Sequence, residues 1–396
     1  MAIDVDAQLL IAGGGLTSAR AVEAYREAGG EGRVLLVTAD RHPPYHRPPL
    51  SKRYLRGEAD ADSVFVKPES FWADNDVELL LERRVERVDP GGHSVTLDDG
   101  TLLRYGKLLV ATGSRPLRLP VPGAELEGVR VLRTLDDSTA LKEAAAAADP
   151  AVVVGASFIG SEVSASLTQL GVAVSLVHRG SGPFDLLGCP ELTAYLVELF
   201  RERGVELVLG DVVARFTGNG HVEAAETEGG RRLEASLVVQ GVGVAPNTEL
   251  LVGSGVGVDN GVLVDERFAS DAPDVYAAGD VANVLDPRTH RRRRVEHWSN
   301  ANFQGAEVGK VLAGADGSAD TIPTFFSEVF GLTFRVVAET PADAEVELRG
   351  AFADRAATAL FRDGGRIVGA ILVGRSDEEL ERVRDAVREG ARDVEG

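Results

Sequence analysis

The sequence has one thiol, no long apolar run and too few basic residues to balance its acids. Its single cysteine, Cys189, excludes an internal disulfide, a cysteine-ligated iron–sulfur cluster and a zinc site built mainly from thiolates. No apolar run approaches the roughly 18–20 residues that a membrane-spanning helix needs. Lys and Arg number 42 against 62 Asp and Glu, which gives a net charge of −20. A chain this acidic lacks the basic face that nucleic acid requires, so we expect neither a nucleic-acid nor a membrane partner.

The seven histidines are scattered along the chain and do not predict a metal site. His42 and His46 have the spacing of a helical metal pair, but Pro43 and Pro44 lie between them and prevent a helix. The segment Met1–Ala12 holds two aspartates and no basic residue, unlike a secretory signal. We therefore expect a cytoplasmic protein without a bound metal. The length of 396 residues favours two or three domains.

One pattern occurs twice, over residues 8–37 and 151–179: an apolar run, a glycine turn, a helical stretch and a second apolar run. This order is typical of the βαβ unit that binds dinucleotides. The first glycine permits a tight turn, and a later one lets backbone N–H groups approach a pyrophosphate at the helix N-terminus. The repeat therefore predicts two dinucleotide sites, at Gly13–Gly15 and at Gly155–Gly160.

The remaining apolar segments predict the rest of an α/β fold. A helix is expected over Ala140–Ala148, between the two halves of the chain. The end of the chain changes character and predicts a small α+β domain. Its expected elements are three strands and a charged helix, at Phe325–Thr340, Ala351–Phe361, Arg366–Val373 and Asp377–Glu389.

Several short motifs occur in a characteristic order. They are Gly13-x-Gly15, Pro44-Tyr45-His46-Arg47-Pro48-Pro49-Leu50-Ser51-Lys52, Ala111-Thr112-Gly113, Gly155–Gly160 with Glu162, Gly241–Asn247, Tyr276–Asp280 and Glu296-His297-Trp298. In this order they resemble the FAD-dependent ferredoxin reductases of the glutathione-reductase fold. That group includes the reductases of bacterial monooxygenases and ring-hydroxylating dioxygenases, and the apoptosis-inducing-factor-like flavoproteins. The Arg-Pro-Pro-Leu-Ser-Lys string is the most specific element.

The resemblance covers the whole chain and implies two Rossmann-like domains and a small α+β C-terminal domain. The FAD domain would be discontinuous, formed by residues 1–117 and 242–318. The NAD(P) domain would comprise residues 118–241, and the C-terminal domain residues 319–396.

The resemblance also implies which residues contact FAD. Leu16 would lie near the pyrophosphate, and Asp280 would hydrogen-bond the ribityl and phosphate region. The full implied set is Gly13, Gly15, Leu16, Ser18, Asp40, Arg47, Lys52, Val85, Ala111, Thr112, Gly113, Arg133, Gly279, Asp280 and Trp298. Two positions depart from the family pattern. The third glycine is Ser18, and the acid expected at Ala39 is found one residue later, as Asp40.

The implied NAD(P) site lies on the second glycine turn. Its members are Gly155, Ser157, Phe158, Ile159, Gly160, Glu162, His178, Arg179 and Gly243. Where units that prefer NAD carry an acid at the end of the second strand, this chain has His178-Arg179. Because an arginine can bind a 2′-phosphate in a bidentate manner, we favour NADPH over NADH. The alternative is that both side chains only face solvent and NADH still binds.

The resemblance places Lys52 beside the flavin, paired with Glu162 as the catalytic pair. A cation there would stabilise the negative charge of the reduced ring, and the carboxylate would hold the cation. The alternative is an exposed lysine and an ordinary helix glutamate. No cysteine lies between Arg41 and Arg56, and Cys189 has no partner thiol, so we exclude thiol–disulfide chemistry.

Electrons must therefore pass from FAD directly to another protein, and the resemblance implies an acidic 2Fe–2S ferredoxin that serves an oxygenase. The basic run Arg291, Arg292, Arg293 and Arg294 precedes Trp298, and we expect the ferredoxin to dock there. The alternative is a solvated loop. A second hypothesis is an apoptosis-inducing-factor-like flavoprotein, in which slow reduction serves a binding role. The oligomeric state stays open between a monomer and a weak homodimer.

Overall fold

The computed structural model describes residues 6–394. Part of the N-terminal segment and the last two residues of the expected C-terminal domain lie outside the described residues. Within this range the α-helices are α1 (Leu16–Glu27), α2 (Ser70–Asp74), α3 (Leu135–Ala145), α4 (Phe158–Gln169), α5 (Pro190–Glu202), α6 (Trp298–Leu312) and α7 (Asp377–Glu389).

The strands of the described chain are β1 (Ala7–Ala12), β2 (Val34–Val37), β3 (Val77–Leu80), β4 (Val85–Asp89), β5 (Ser94–Leu97), β6 (Leu102–Val110), β7 (Ser114–Pro116), β8 (Val129–Arg130), β9 (Ala151–Val154), β10 (Val174–His178), β11 (Glu206–Leu209), β12 (Val213–Asn219), β13 (His221–Thr227), β14 (Arg232–Glu234), β15 (Leu237–Gln240), β16 (Val244–Pro246), β17 (Val262–Val264), β18 (Val275–Ala277), β19 (Ala282–Leu285), β20 (Arg292–Arg293), β21 (Thr324–Val329), β22 (Leu332–Ala338), β23 (Glu345–Ala351), β24 (Ala356–Asp363) and β25 (Arg366–Val373). Between the helices lie three long runs of strands with no α-helix inside them, β3–β8, β11–β20 and β21–β25.

One compact unit comprises residues 6–46, 62–115 and 244–321 of the described chain. Its main sheet has the strand order β3-β2-β1-β6-β5-β4, with β18 paired to β6. The central strand β1 runs parallel to both β2 and β6, and Leu10 lies beside Leu35 and Leu108. A parallel strand covered on both faces needs a continuous apolar run, and Leu10 is accordingly fully buried.

Two glycines allow α6 to approach α1 closely in this unit. A Cβ atom at Gly305 would lie 2.6 Å from the carbonyl oxygen of Thr17, and one at Gly309 would lie 2.5 Å from that of Ala21. Larger side chains at either position would push the helices apart. The close contact with α6 therefore supports α1, the helix whose N-terminus follows the first glycine turn.

The other compact unit comprises residues 47–61, residues 116–243 and the chain from Ile322 onward. It contains a parallel sheet with the order β11-β10-β9-β15-β8, in which β9 lies between β10 and β15. It also contains the antiparallel sheet β12-β13-β14 and a five-stranded antiparallel sheet, β21-β22-β25-β24-β23. Val383 and Ala386 of α7 pack against this last sheet. The boundaries of the three expected domains stay a prediction.

Three expected elements differ from the structure. The stretch expected as one strand over Phe325–Thr340 is a hairpin, because Phe330 and Gly331 adopt positive φ angles of +50° and +71° and form its turn. The stretch expected over Ala351–Phe361 is interrupted by a short 3₁₀ turn, Phe352–Asp354.

The helix expected over Ala140–Ala148 begins earlier, at Leu135, and ends at Ala145. Its start is fixed by a capping box, in which Thr134 accepts a hydrogen bond from the Asp137 amide while the Asp137 carboxylate accepts one from the Thr134 amide.

Candidate functional site

The first glycine turn joins β1 to α1 and leaves the start of the helix open. Gly13 has a φ of +124°, and a Cβ atom there would lie 2.2 Å from the carbonyl oxygen of Ala111. Gly15 caps α1 without a side chain, and no acidic residue lies in the first turn, which begins at Leu16. The positive end of the helix dipole is thus available to an anion.

Ser18 replaces the third glycine and is fully buried. Its hydroxyl donates a hydrogen bond of 2.6 Å to the carbonyl oxygen of Gly13. The serine therefore ties the helix to the turn instead of leaving a gap.

Two further predicted segments lie around this turn. Gly279 has a φ of +80°, and a Cβ atom there would lie 2.4 Å from Oγ1 of Thr17 on α1. The next residue, Asp280, accepts a hydrogen bond of 3.1 Å from the Ser114 hydroxyl. Thr112 and Asn247 exchange two hydrogen bonds, which fix the strand end that carries Ala111, Thr112 and Gly113.

Asp40 follows β2, and its carboxylate is held in one orientation. The Tyr45 hydroxyl donates to it at 2.6 Å, and the His42 amide donates at 3.1 Å. Tyr45 is buried, whereas Ala39, where the family pattern expects the acid, is exposed. The role of Tyr45 was not predicted, although its place in the Pro-Tyr-His motif could have suggested it.

Three further predicted FAD contacts lie on other elements, within their own compact units. Val85 lies on β4, at the end of the sheet order. Arg47 donates from Nε to the carbonyl oxygen of Arg133 at 3.3 Å, and the Arg133 amide donates to the Asp137 carboxylate.

Lys52 and Glu162 form a buried ion pair. The Lys52 Nζ lies 2.7 Å from Oε2 of Glu162, and the two side chains are only 8% and 5% exposed. Ser51 donates to the same carboxylate oxygen, and Ser327 donates to Oε1 at 2.7 Å. Burying two charges costs solvation energy, which such additional hydrogen bonds help to offset. Ser327 was not predicted, because it comes from β21, far along the chain.

The second glycine turn joins β9 to α4. Gly155 has a φ of +95°, and its Cβ would lie 2.3 Å from the carbonyl oxygen of Gly241. A Cβ at Gly160 would lie only 1.8 Å from the carbonyl oxygen of Gly155. Ser157 caps α4 without a side-chain hydrogen bond, and no acid lies in the first turn. Here again the helix N-terminus is open to an anion.

An aromatic cluster lies beside this turn. The ring of Phe158 makes edge contacts with Phe184 and Phe325, with centroids 5.3 and 5.4 Å apart. The neighbouring Ile159 is half-buried. Gly243 has a φ of +112° and only the end of the Leu117 side chain near it.

The carboxylate of Asp185, seven residues after His178, lies at the end of β10. His178 Nε2 lies 3.1 Å from each carboxylate oxygen of Asp185, and His178 Nδ1 accepts from the Ala156 amide at 3.3 Å. Gly180 lies beneath this pair, because a Cβ there would be 1.9 Å from Asp185 Oδ2. Arg179 is exposed, and within residues 6–394 its guanidinium pairs with no acid.

Three arginines of the basic run, Arg292, Arg293 and Arg294, make contacts inside their own compact unit. Arg292 donates to the carbonyl oxygens of Val264 and Asn283, at 2.9 and 3.0 Å. Arg293 lies 2.9 Å from the fully buried carboxylate of Asp286. The four arginines therefore do not form one free positive surface.

The last two arginines of the run differ from each other. Arg294 donates to the carbonyl oxygen of Asp280 at 3.2 Å and pairs with Glu296. Arg291 is exposed, and in the described part of the chain its guanidinium pairs with no acid.

Trp298 is the first residue of α6, and 38% of its surface is exposed. Its Nε1–H donates to Nδ1 of His46 at 3.0 Å. The preceding residue, His297, is largely enclosed, and burial lowers its pKa to about 4 against the opposing influence of Asp280.

Cys189 is buried at the start of α5, and burial raises the pKa of its thiol to about 11. A buried, protonated thiol is a poor nucleophile. Among residues 6–394, no helix combines the length and the apolar character that crossing a bilayer requires.

Comparison with known proteins agrees with this geometry. Residues 7–305 match the model of the pyridine nucleotide-disulphide oxidoreductase family. The chain belongs to this family, whose members use FAD and a pyridine nucleotide. The residues present fit FAD, since Gly15 leaves no capping side chain at the open N-terminus of α1 and the close packing of Gly13 against the Ala111 backbone excludes any larger residue from the turn.

The relatives include ferredoxin reductases, among them the ferredoxin reductase component of a chlorobenzene dioxygenase from Cupriavidus. The chain is 33% identical to the ferredoxin reductase subunit of 5,5′-dehydrodivanillate O-demethylase from Sphingobium, over 94% of this chain and 91% of the relative. It is 31% identical to putidaredoxin reductase from Pseudomonas putida, over 93% and 89%. The predicted resemblance to oxygenase-coupled ferredoxin reductases is thereby confirmed.

Solved structures confirm the predicted α/β fold class. The ferredoxin reductase for the CYP199A2 system of Rhodopseudomonas palustris superimposes with a TM-score of 0.90 at 32% identity, covering 94% of this chain and 92% of the other. The covalent complex of putidaredoxin reductase with putidaredoxin gives a TM-score of 0.92 at 29% identity, covering 97% and 94%.

Proposed function

We propose that this chain is an NAD(P)H-dependent ferredoxin reductase that contains FAD and supplies electrons to a separate iron–sulfur ferredoxin of an oxygenase system. The carrying observation is the pair of glycine turns with open helix N-termini, in a chain whose only thiol is buried. Such a chain can bind two dinucleotides but cannot pass electrons through a disulfide. The roles of the named relatives support the same acceptor.

Bound FAD supplies the hydride acceptor and the donor of single electrons. The amides at the start of α1 would bind its pyrophosphate, and Asp280 and Asp40 would hydrogen-bond its hydroxyl groups. We assign to Lys52 the cation that stabilises negative charge on the reduced flavin ring. Glu162 holds this ammonium in place, because its own two oxygens are held by Ser51 and Ser327.

NADPH is the preferred donor in this proposal. The Asp185 carboxylate is already hydrogen-bonded to His178. The exposed guanidinium of Arg179, next to the end of β10, is therefore the group that binds a 2′-phosphate. A guanidinium binds phosphate through two parallel hydrogen bonds.

The ferredoxin docks, in this proposal, at Arg291 and Trp298. Both side chains are exposed, and the residues 292–294 serve as the support that fixes the segment. A positive contact on an otherwise acidic protein favours encounter with an acidic carrier and makes it dependent on salt.

The first test is anaerobic stopped-flow reduction of the purified holoenzyme, with NADPH and NADH compared at equal concentration. Flavin bleaching within a second, faster with NADPH, supports the reductase and its nucleotide preference. Bleaching that takes minutes with both nucleotides would instead favour the apoptosis-inducing-factor-like alternative. Bleaching that is equally fast with both would overturn only the preference for NADPH.

The second test addresses docking. Arg291→Ser should lower the affinity for a 2Fe–2S ferredoxin and flatten its dependence on salt. The matched control is Arg382→Ser, an exposed arginine on α7. If both variants retain the wild-type salt dependence, Arg291 does not contribute to docking.

A further inference from the structure

We propose that His46 is a positioning residue, which holds the indole of Trp298 in a single orientation by accepting a hydrogen bond from its Nε1. The inference rests on the proposed function, because Trp298 is one of the two exposed side chains assigned to ferredoxin docking. The donor and acceptor atoms lie 3.0 Å apart, and the ring centroids lie 5.7 Å apart at an interplanar angle of 50°. The rings are therefore joined by the hydrogen bond and are not stacked.

Trp298 needs an external contact to keep one orientation. It is the first residue of α6, so no preceding helical turn lies beside it, and more than a third of its surface is exposed. An indole has one hydrogen-bond donor and no acceptor. The contact with His46 uses that single donor, so it defines both the position and the rotation of the ring.

His46 is well suited to fix a neighbour, because the backbone of Pro44–His46 is itself hydrogen-bonded to the segment of residues 64–66. Its amide donates to the carbonyl oxygen of Val64 at 2.8 Å, and the Val66 amide donates to the carbonyl oxygen of Pro44 at 2.9 Å. Between these bonds the buried Tyr45 pairs with Phe65 in an isolated β-bridge. The acceptor thus lies on an anchored segment.

The acceptor role also requires a neutral imidazole with an unprotonated Nδ1. Burial lowers the pKa of His46 from its ordinary value, which keeps the ring neutral around neutral pH. The proton then lies on Nε2, and Nδ1 is free to accept.

The geometry distinguishes two amide replacements. In His46→Asn the side-chain oxygen can take the place of Nδ1, whereas in His46→Gln the longer side chain carries its oxygen toward the place of Nε2. A residue with a merely space-filling role would tolerate the closer match in size, glutamine, at least as well. A residue that acts through Nδ1 is rescued by asparagine alone.

The experiment records the indole N–H signals of holoenzyme labelled with ¹⁵N-tryptophan. The sequence holds two tryptophans, so two signals are expected, and Trp72→Phe assigns them. Trp72 is buried and reports that each variant is folded. We expect His46→Gln to speed solvent exchange of the Trp298 indole proton about fivefold, the factor that corresponds to losing one net hydrogen bond. His46→Asn should retain the wild-type signal.

Equal exchange in wild type, His46→Gln and His46→Asn would overturn the proposal. Should His46→Gln lose the Trp72 signal, His46→Ala replaces it, with the same expected rise in exchange. Ferredoxin binding to the same variants separates this inference from the proposed function. Faster exchange with unchanged ferredoxin affinity would uphold the role of His46 and overturn that of Trp298 in docking.

Discussion

Gly13 and Gly155 occupy equivalent places at the ends of β1 and β9, and in each turn a Cβ would meet a neighbouring carbonyl oxygen, at 2.2 and 2.3 Å. The turns differ at the third position. In the first, Ser18 fills the space and donates to the Gly13 carbonyl oxygen. In the second, a Cβ at Gly160 would lie 1.8 Å from the carbonyl oxygen of Gly155. The same backbone arrangement therefore tolerates a side chain in one unit and excludes it in the other.

The two βαβ units also differ in the position along the chain of the acidic residue that lies at the end of their second strand, β2 or β10. After β2 the acid is Asp40, which Tyr45 and the backbone hold. After β10 it is Asp185, which approaches from further along the chain and is held by His178. In the proposed function, the fixed carboxylate of Asp40 would bind a ribose hydroxyl, whereas Asp185 is already hydrogen-bonded to His178 and the neighbouring Arg179 would select the nucleotide.

The largest effect is expected from Glu162, a buried carboxylate on the helix of the second turn, whereas the buried residues of α1 include no charged side chain. Glu162→Gln leaves the Lys52 ammonium buried without a counter-charge, which should cost about 3–5 kcal/mol of stability. Thermal unfolding measures the loss. The double variant Lys52→Met/Glu162→Gln is the matched control and should recover much of it. An unchanged midpoint for the single variant would contradict the buried pair.

Substituting alanine for a glycine in each turn should show which turn binds FAD and which binds the nicotinamide nucleotide. Gly160→Ala must displace backbone, at a cost of about 1–3 kcal/mol, and should abolish binding of ADP-ribose while the purified protein stays yellow. Gly13→Ala should instead yield colourless protein. Flavin absorbance and calorimetry measure these outcomes. Loss of flavin in Gly160→Ala would contradict the assignment of the turns.

Removal of Arg179 tests the preference at the second turn. Arg179→Ser should weaken binding of 2′,5′-ADP about tenfold and leave 5′-ADP unchanged, because one charge-assisted phosphate contact is lost. Titration calorimetry on the holoenzyme gives both affinities. If the two nucleotides weaken equally, Arg179 binds no 2′-phosphate.

The smallest effect is expected at Ser18. Ser18→Ala removes the hydrogen bond to Gly13 and should cost about 1 kcal/mol, with FAD retained. Ser18→Gly should cost more, since it also adds backbone freedom to α1. Unfolding midpoints compare the two variants, and a stabilised Ser18→Gly would show that the first turn prefers the family's glycine.

The sequence predicted the parallel strands because a strand segment buried on both faces is apolar throughout, as β9 and residues 9–12 of β1 are. It did not predict Asp185 or Ser327, because partners distant along the chain leave no local pattern. The role of Arg292–Arg294 was interpreted too simply. A run of arginines indicates positive potential, but the sequence does not show what the guanidinium groups contact. In the folded chain, Arg292 donates to the Val264 carbonyl oxygen, and Arg293 and Arg294 pair with Asp286 and Glu296.

The buried state of Cys189 has a practical consequence. Burial raises the pKa of its thiol to about 11, so the group stays protonated and enclosed at the pH of ordinary labelling reactions. The natural chain therefore serves as a scaffold without background reactivity. A cysteine introduced by Arg291→Cys would be the one thiol that maleimides or cross-linkers reach, and covalent capture could then identify the carrier directly.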